Sequence, residues 1–284
     1  MRAYRLLSQK LVPLKNASAS FDELTSQLPR GLYSTFITNH GGTRVLGLTA
    51  HLDRLFLPGQ PIGLHPSASR ADLQAALSLL ASSNAPAESR LRILLAESDG
   101  TVYVMLQPFT PPPREIYERG VHVVTAALTR HDPRLKDTGF ITESQSARAK
   151  VGGEIFEVLL TKGGKIYEGM TSNFYAVPHN SFCEGQDESC NTLLTARTGI
   201  LLGVTRRAVL RLARGQGMRI EYRPPRLDEK FMEAFLTSSS RGVVPIVQVD
   251  GKPVGEGRPG AWTKALALAY QSYVEERSEA LIAD

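Results

Sequence analysis

The chain has 284 residues, 42% of them hydrophobic and 21% charged, a globular composition that excludes disordered and fibrous classes and allows one large core or two domains. Its net charge of +5 is spread over the whole length without a basic block or interleaved aromatics, which suits anionic small molecules and argues against nucleic acid. The first fourteen residues carry Arg2, Arg5 and Lys10 and never more than two adjacent apolar residues, so they lack a signal-peptide core; no segment reaches a membrane span, and a cytoplasmic location is expected.

No opening strand is expected within the first thirty residues. Ser69 followed by Asp72 has the spacing of a reciprocal N-cap, and Leu73, Leu77 and Leu80 share one face, which together predict a helix. Residues 90–97 and 101–107 read as a hairpin around Asp99-Gly100. The run Pro108-Phe109-Thr110-Pro111-Pro112-Pro113 can continue neither a helix nor a central strand. It divides the chain into a small N-terminal α/β domain over 1–110, a linker over 111–119, and a larger C-terminal domain over 120–284. Within the latter, residues 120–128 read as a strand, 157–161 pair with 165–167 across Gly163-Gly164, and 172–177 form a third strand. Thr205 opens a helix through Ala213 that stops at Gly215 and Gly217, and a closing helix over 262–277 carries Leu266, Tyr270 and Tyr273 on one face. The fold class is α+β with two domains. Cys183 and Cys190 lie in the polar stretch 179–191 and are expected as free thiols.

The chemistry centres on Lys136 and Glu168. Eight of the nine lysines sit in contexts of solvated loops or helix faces, whereas Lys136 stands between His131-Asp132-Pro133-Arg134-Leu135 and Asp137-Thr138-Gly139, a strand exit able to hold an amine at the floor of a cleft. A lysine and a carboxylate both have a task toward pyridoxal phosphate. The amine holds its aldehyde as a Schiff base, and the carboxylate keeps its ring nitrogen protonated. The phosphate needs a cradle. Arg54 offers a planar fork of donors, and Val204 and Thr205 begin a helix whose N–H groups face an anion. The run Thr237-Ser238-Ser239-Ser240 adds hydroxyls, although alone it reads as a polar turn.

The segment Glu168-Gly169-Met170-Thr171-Ser172-Asn173-Phe174 resembles the Glu-Gly-x-x-Ser-Asn-Phe signature of fold-type IV pyridoxal-phosphate enzymes, the class IV aminotransferases. These include branched-chain and D-amino-acid aminotransferases and aminodeoxychorismate lyase. The similarity runs from Gly31 to Tyr270 through His51-Leu52-Asp53-Arg54-Leu55, Leu135-Lys136, Gly203-Val204-Thr205-Arg206 and Phe235-Leu236-Thr237-Ser238-Ser239-Ser240, then Val249-Asp250-Gly251 and Gly257-Arg258-Pro259-Gly260-Ala261-Trp262-Thr263. It implies a D-amino-acid aminotransferase-like fold, a homodimer, and pyridoxal phosphate as cofactor. By resemblance Lys136 is the catalytic and cofactor-anchoring lysine, and Arg54 binds the phosphate together with Val204 and Thr205. Glu168, Ser172, Asn173, Ser239 and Ser240 complete the implied cofactor set, and Tyr33 lines the substrate pocket. The implied reaction moves an amino group between an amino acid or amine and a 2-keto acid through the Lys136 Schiff base. The alternative is aminodeoxychorismate lyase, which uses the same lysine and releases pyruvate. Ser34 stands where family members commonly carry glutamate, and Gly139 where they commonly carry asparagine.

Gly255-Glu256-Gly257-Arg258-Pro259-Gly260 also fits a dinucleotide-binding pattern before a helix. Residues 243–249 and 252–254 read as an antiparallel hairpin instead of a βαβ unit, so nucleotide binding there is not expected. The histidines are scattered without ligand spacing, and no metal site is expected.

Overall fold

The computed structural model describes residues 1–15, 18, 20–59, 63–179 and 191–281; Cys183 and Cys190 lie outside the described residues. In chain order the first elements are β1 (Arg2–Leu7), β2 (Lys10–Pro13), α1 (Phe21–Ser26), β3 (Gly31–Ile37), β4 (Arg44–Leu46), α2 (Leu48–Gly59), α3 (Arg70–Ser82), β5 (Ser89–Ala96) and β6 (Val102–Pro108). There follow α4 (Glu115–Glu118), β7 (Val121–Ala126), α5 (Gly139–Glu143), α6 (Gln145–Arg148), β8 (Ile155–Lys162), β9 (Lys165–Gly169), β10 (Asn173–Pro178) and β11 (Thr192–Leu194). The last are α7 (Val204–Gly215), β12 (Arg219–Glu221), β13 (Phe231–Ser238), β14 (Gly242–Val249), β15 (Lys252–Pro253), α8 (Ala261–Arg277) and β16 (Ser278–Ala280). The chain groups into two compact units, one of Met1–Pro111, Leu135–Glu143 and Tyr273–Asp284, the other of Pro112–Arg134 and Ser144–Ser272.

The first unit is built on a five-stranded antiparallel sheet in the order β2-β1-β6-β5-β3. β1 corrects the expectation that no strand opens the chain. Only Ala3 and Leu6 of its residues are buried, too few to make an alternating apolar signal, and pairing with β6 supplies what the local pattern lacks. α3 opens as expected: Ser69 accepts from the Asp72 N–H while Asp72 accepts from the Ser69 N–H, and Leu73, Leu77 and Leu80 are buried. Leu52 and Leu55 of α2 join them against Phe36, Leu91 and Ile93 of the sheet.

The segment carrying Lys136, placed by the sequence in the second domain, groups instead with the first unit. Its backbone adds to β3: the Tyr33 N–H donates to the Lys136 carbonyl (2.8 Å), the Thr138 N–H donates to the Gly31 carbonyl (2.9 Å), and Leu32 bridges Asp137. Position 31 must be glycine for β3 to lie this close to β5, since a Cβ there would stand 2.0 Å from the Leu95 carbonyl oxygen.

In the second unit the strand path β12-β11-β10-β13-β14-β7-β8-β9 bends back so that β9 also pairs with β10, at Asn173 opposite Glu168. Six strands, from β10 through β13, β14, β7 and β8 to β9, therefore close into a ring. β7 lies parallel to β14 and β8, and the remaining pairs of the ring are antiparallel. Val123, Leu159, Phe174, Leu236 and Ile246 form its core. The start of α8, where the glycine pattern lies, is filled by the protein itself. Glu233 accepts from the N–H groups of Trp262 (3.0 Å) and Thr263 (2.7 Å) and from the Thr263 hydroxyl, and β14 with β15 forms the antiparallel hairpin read from the sequence. A built-in carboxylate occupies the donors that a dinucleotide phosphate would need.

His51 of α2 is fully buried, its Nδ1 2.8 Å from Ser34 Oγ and its ring 4.8 Å from that of Phe36. Burial first, then the charges of Arg54 and Lys136, hold its pKa well below the usual 6.5. The unfolded chain takes up this proton near its ordinary pKa and the folded chain does not, so stability is complete above that pH and falls as pH drops through it. The loss approaches about 1.4 kcal/mol per pH unit. Urea unfolding at about pH 7.5 and about pH 5.5 should show a greater acid loss for the wild type than for the paired variant Ser34→Ala/His51→Leu. Equal losses would mean that the folded imidazole is protonated as easily as the unfolded one.

Candidate active site

In the first unit, β3 and its added ladder place Tyr33 and Lys136, and α2 places Arg54. The ladder fixes the Lys136 backbone, and its ammonium lies 4.8 Å from the centre of the Tyr33 ring. The Arg92 guanidinium approaches the same ring at 4.8 Å and is itself held by Asp22 (2.7 Å), Thr25 and Thr35. Two cations against one ring fix its orientation. Arg54 follows His51 by one turn of α2, and both Arg54 and Lys136 act electrostatically on that imidazole. An amine, a guanidinium and a phenol are thus collected around β3 and α2.

In the second unit the signature segment forms the ring closure. Glu168 is 2% exposed; its Oε1 accepts from Arg130 Nε at 2.8 Å and its Oε2 from the Leu201 N–H at 3.0 Å. Asn173, directly across the β9–β10 pairing, donates from Nδ2 to the Leu201 carbonyl at 2.7 Å. The two side chains therefore grip both polar groups of one peptide residue. That residue lies just ahead of Gly203, the N-cap of α7, so the closure sets where α7 begins.

The opening of α7 differs from that of α8. Gly203 makes no side-chain cap, the first turn contains no acidic residue, and Val204 and Thr205 are its first two residues. Thr205 Oγ1 lies 3.5 Å from Ser239 Oγ, which with Ser240 forms the tip of the β13–β14 hairpin. Arg241 anchors that tip, donating to Ser238 Oγ (3.0 Å) and to the buried Glu157 (3.0 Å). Ser172 donates to the same Glu157 at 3.3 Å, so Ser172 and Asn173 both hydrogen-bond to the protein frame. Arg206 is turned into the interior, donating to Thr195 Oγ1 and the Ala196 carbonyl, both at 2.7 Å.

Sequence reasoning missed Arg130, Glu157 and Arg241. The signal for Arg130 is a single arginine in the run before Lys136, with no periodicity to single it out, and its role emerges only when the chain leaving β7 brings it to Glu168 of β9. Glu157 sits in an ordinary strand pattern.

Pyridoxal phosphate can be tested against these donors. A twelve-residue helix with an uncapped opening, flanked by two hydroxyls and free of acid in its first turn, suits a phosphate dianion. A buried carboxylate suits a protonated ring nitrogen, and Lys136 offers an amine to an aldehyde. Within each unit the residues present have the chemistry that the group needs.

Comparison with known proteins agrees. The family model for amino-transferase class IV matches residues 31–249. D-alanine aminotransferase of Bacillus licheniformis is 25% identical over 288 residues, covering 95% of this chain and 96% of that relative. The branched-chain-amino-acid aminotransferase of Pseudomonas aeruginosa is 27% identical over 260 residues, covering 84% and 81%. The crystal structure of a branched-chain amino acid aminotransferase from Thermobaculum terrenum in its PLP form matches with a TM-score of 0.74 at 20% identity, over 97% of this chain and 94% of that one, a likeness of fold. With the closed ring, the signature at its closure and a family match over most of its length, the chain belongs to the class IV aminotransferases, as a two-domain fold-type IV transaminase.

Proposed function

We propose that the chain moves an amino group between an amino acid or amine and a 2-keto acid, with pyridoxal phosphate held by Lys136. The observation that carries this reading is Glu168, a carboxylate taken out of water and fixed by Arg130 and Leu201 in a family that uses this cofactor. When bound, the cofactor supplies a protonated ring that draws electrons from the substrate Cα. Glu168 presents its carboxylate to the ring nitrogen, and Arg130 keeps it from turning away. Lys136 would hold the cofactor through its amine and would move the Cα proton, and the ladder to β3 fixes its backbone in one place. Arg54 is the cation for the phosphate. The N–H groups of Val204 and Thr205 and the hydroxyls of Thr205, Ser239 and Ser240 are its neutral donors. Ser172 and Asn173 serve the cofactor through the frame they hold, and Tyr33 borders the substrate. The same reading makes the working form a cytoplasmic homodimer. The two relatives carry different amino donors in their names, so a test panel spans D-alanine and the branched-chain L-amino acids.

The Lys136→Ala variant should lose the borohydride-trapped cofactor that mass spectrometry finds on the wild type, because no other amine occupies that position. Cofactor still trapped on the Ala variant would assign the linkage to a different lysine. Glu168→Gln should retain cofactor but slow Cα deprotonation about a hundredfold or more, since a neutral amide no longer favours the ring cation. Stopped-flow rates equal to those of the wild type would remove Glu168 from the mechanism. For the reaction as a whole, one amino donor added alone should move the absorbance from the aldehyde-linked band to the amine band, and a 2-keto acid added next should restore it. Pyruvate released without an acceptor, and no half-reaction with any donor, would overturn transamination.

A further inference from the structure

Ser34 and His51 form a buried polar pair that the proposed reaction leaves unused. Ser34 lies in β3 directly after Tyr33, and His51 lies in α2 one turn before Arg54; both are fully buried. Their hydrogen bond spans 2.8 Å, and the imidazole packs on Phe36. The other ring nitrogen, Nε2, is buried and has no hydrogen-bond partner among the described residues.

A buried nitrogen without a partner is costly, so as pure filling this position would be better served by an apolar side chain. What the pair adds is direction. Phe36, Leu52 and Leu55 hold α2 on the sheet through contacts that tolerate small slides and rotations, whereas one hydrogen bond between strand and helix specifies their register. The strand is the one to which the Lys136 backbone is laddered, and the helix is the one that carries Arg54. A neutral pair also makes this link without adding a further positive charge beside two cations. A carboxylate at position 34 would instead bring a negative charge.

We propose that the Ser34–His51 hydrogen bond is a positioning latch that sets the guanidinium of Arg54 relative to the amine of Lys136. The inference rests on the reading above, in which these two groups hold opposite ends of pyridoxal phosphate. A ligand gripped at both ends binds more tightly than either end alone only if the spacing of the two grips matches it. Loosening the latch should therefore penalise the two-ended ligand and spare the one-ended ones.

The test uses the full-length chain freed of cofactor and three probes: pyridoxal phosphate, pyridoxal, which lacks the phosphate, and inorganic phosphate. Aldehyde binding is read by absorbance and borohydride trapping, and phosphate binding by calorimetry. Ser34→Ala should weaken pyridoxal phosphate about tenfold or more while pyridoxal and phosphate each stay within about twofold, and Ser34→Thr should recover most of the loss. Should Ser34→Ala fail to fold, Ser34→Cys, of similar size and a weaker donor, is read in the same way. Unchanged affinity for pyridoxal phosphate, or an equal fall for all three probes, would overturn the latch. A wild-type chain that traps neither aldehyde would instead overturn the cofactor reading, so the two failures are separable.

Discussion

A carboxylate removed from water must be met by charge and by hydrogen bonds, and in the second unit that requirement falls on Glu168. Arg130 meets one oxygen and the Leu201 N–H the other, with both ion-pair side chains almost wholly buried. Breaking such a pair by deleting one partner leaves an uncompensated buried charge at a cost of about 3–5 kcal/mol, more than the net worth of the pair itself. The strand that carries Glu168 is thereby tied to the exit of β7 through Arg130 and to the approach to α7 through Leu201. Asn173 repeats the second tie on the carbonyl side. Ring closure, carboxylate placement and helix start are three results of one short stretch of sequence.

Two helix openings in this unit show how the same physics is used in opposite ways. At α8 the N–H groups are met by Glu233, and the glycine at 260 leaves room for that side chain, since a Cβ there would fall 2.0 Å from the Glu233 carboxyl carbon. The helix is complete without a ligand. At α7 the N-cap is Gly203, no side chain caps the turn, and the hydroxyls of Thr205 and Ser239 stand beside it. A glycine pattern at a helix start is thus no measure of anion binding; whether the protein supplies its own anion is.

Most regular elements were legible because their determinants are local. Gly163-Gly164 and Asp250-Gly251 each join paired strands by two residues with positive φ, a conformation glycine adopts freely and aspartate tolerates, so these dipeptides announce hairpins by themselves. Ser69 and Asp72 mark α3 in the same self-contained way. The signature residues, Lys136 and Arg54 were found through resemblance to a family, which carries information that spacing alone does not. What escaped the sequence is what depends on distant partners. β1 exists because β6 accepts it, and the Lys136 segment groups with the first unit because β3 accepts its backbone. Arg130 acquires its role from a carboxylate thirty-eight positions away, and Arg241 from the buried Glu157. None of these partners can be chosen by periodicity, because each is selected by the sheet topology.

The uncapped start of α7 has an energetic consequence that links stability to function. Glycine in place of a side-chain cap forgoes about a few tenths of a kcal/mol of helix stability, and an opening without acid in its first turn forgoes a further favourable interaction with the helix dipole. An anion bound there would return both contributions, and anything that binds the folded chain alone stabilises it in proportion to the logarithm of its concentration over its dissociation constant. The second unit therefore keeps its ring rigid through buried pairs that need no ligand, and leaves the opening of α7 without a side-chain cap. A serine cap at Gly203 would compete with the anion for the same N–H groups. It would also place a Cβ 2.3 Å from Asn173 Oδ1, disturbing the grip on Leu201 that positions the helix. Glycine at 203 thus keeps the donors of α7 available and lets Asn173 approach closely enough to fix where they point.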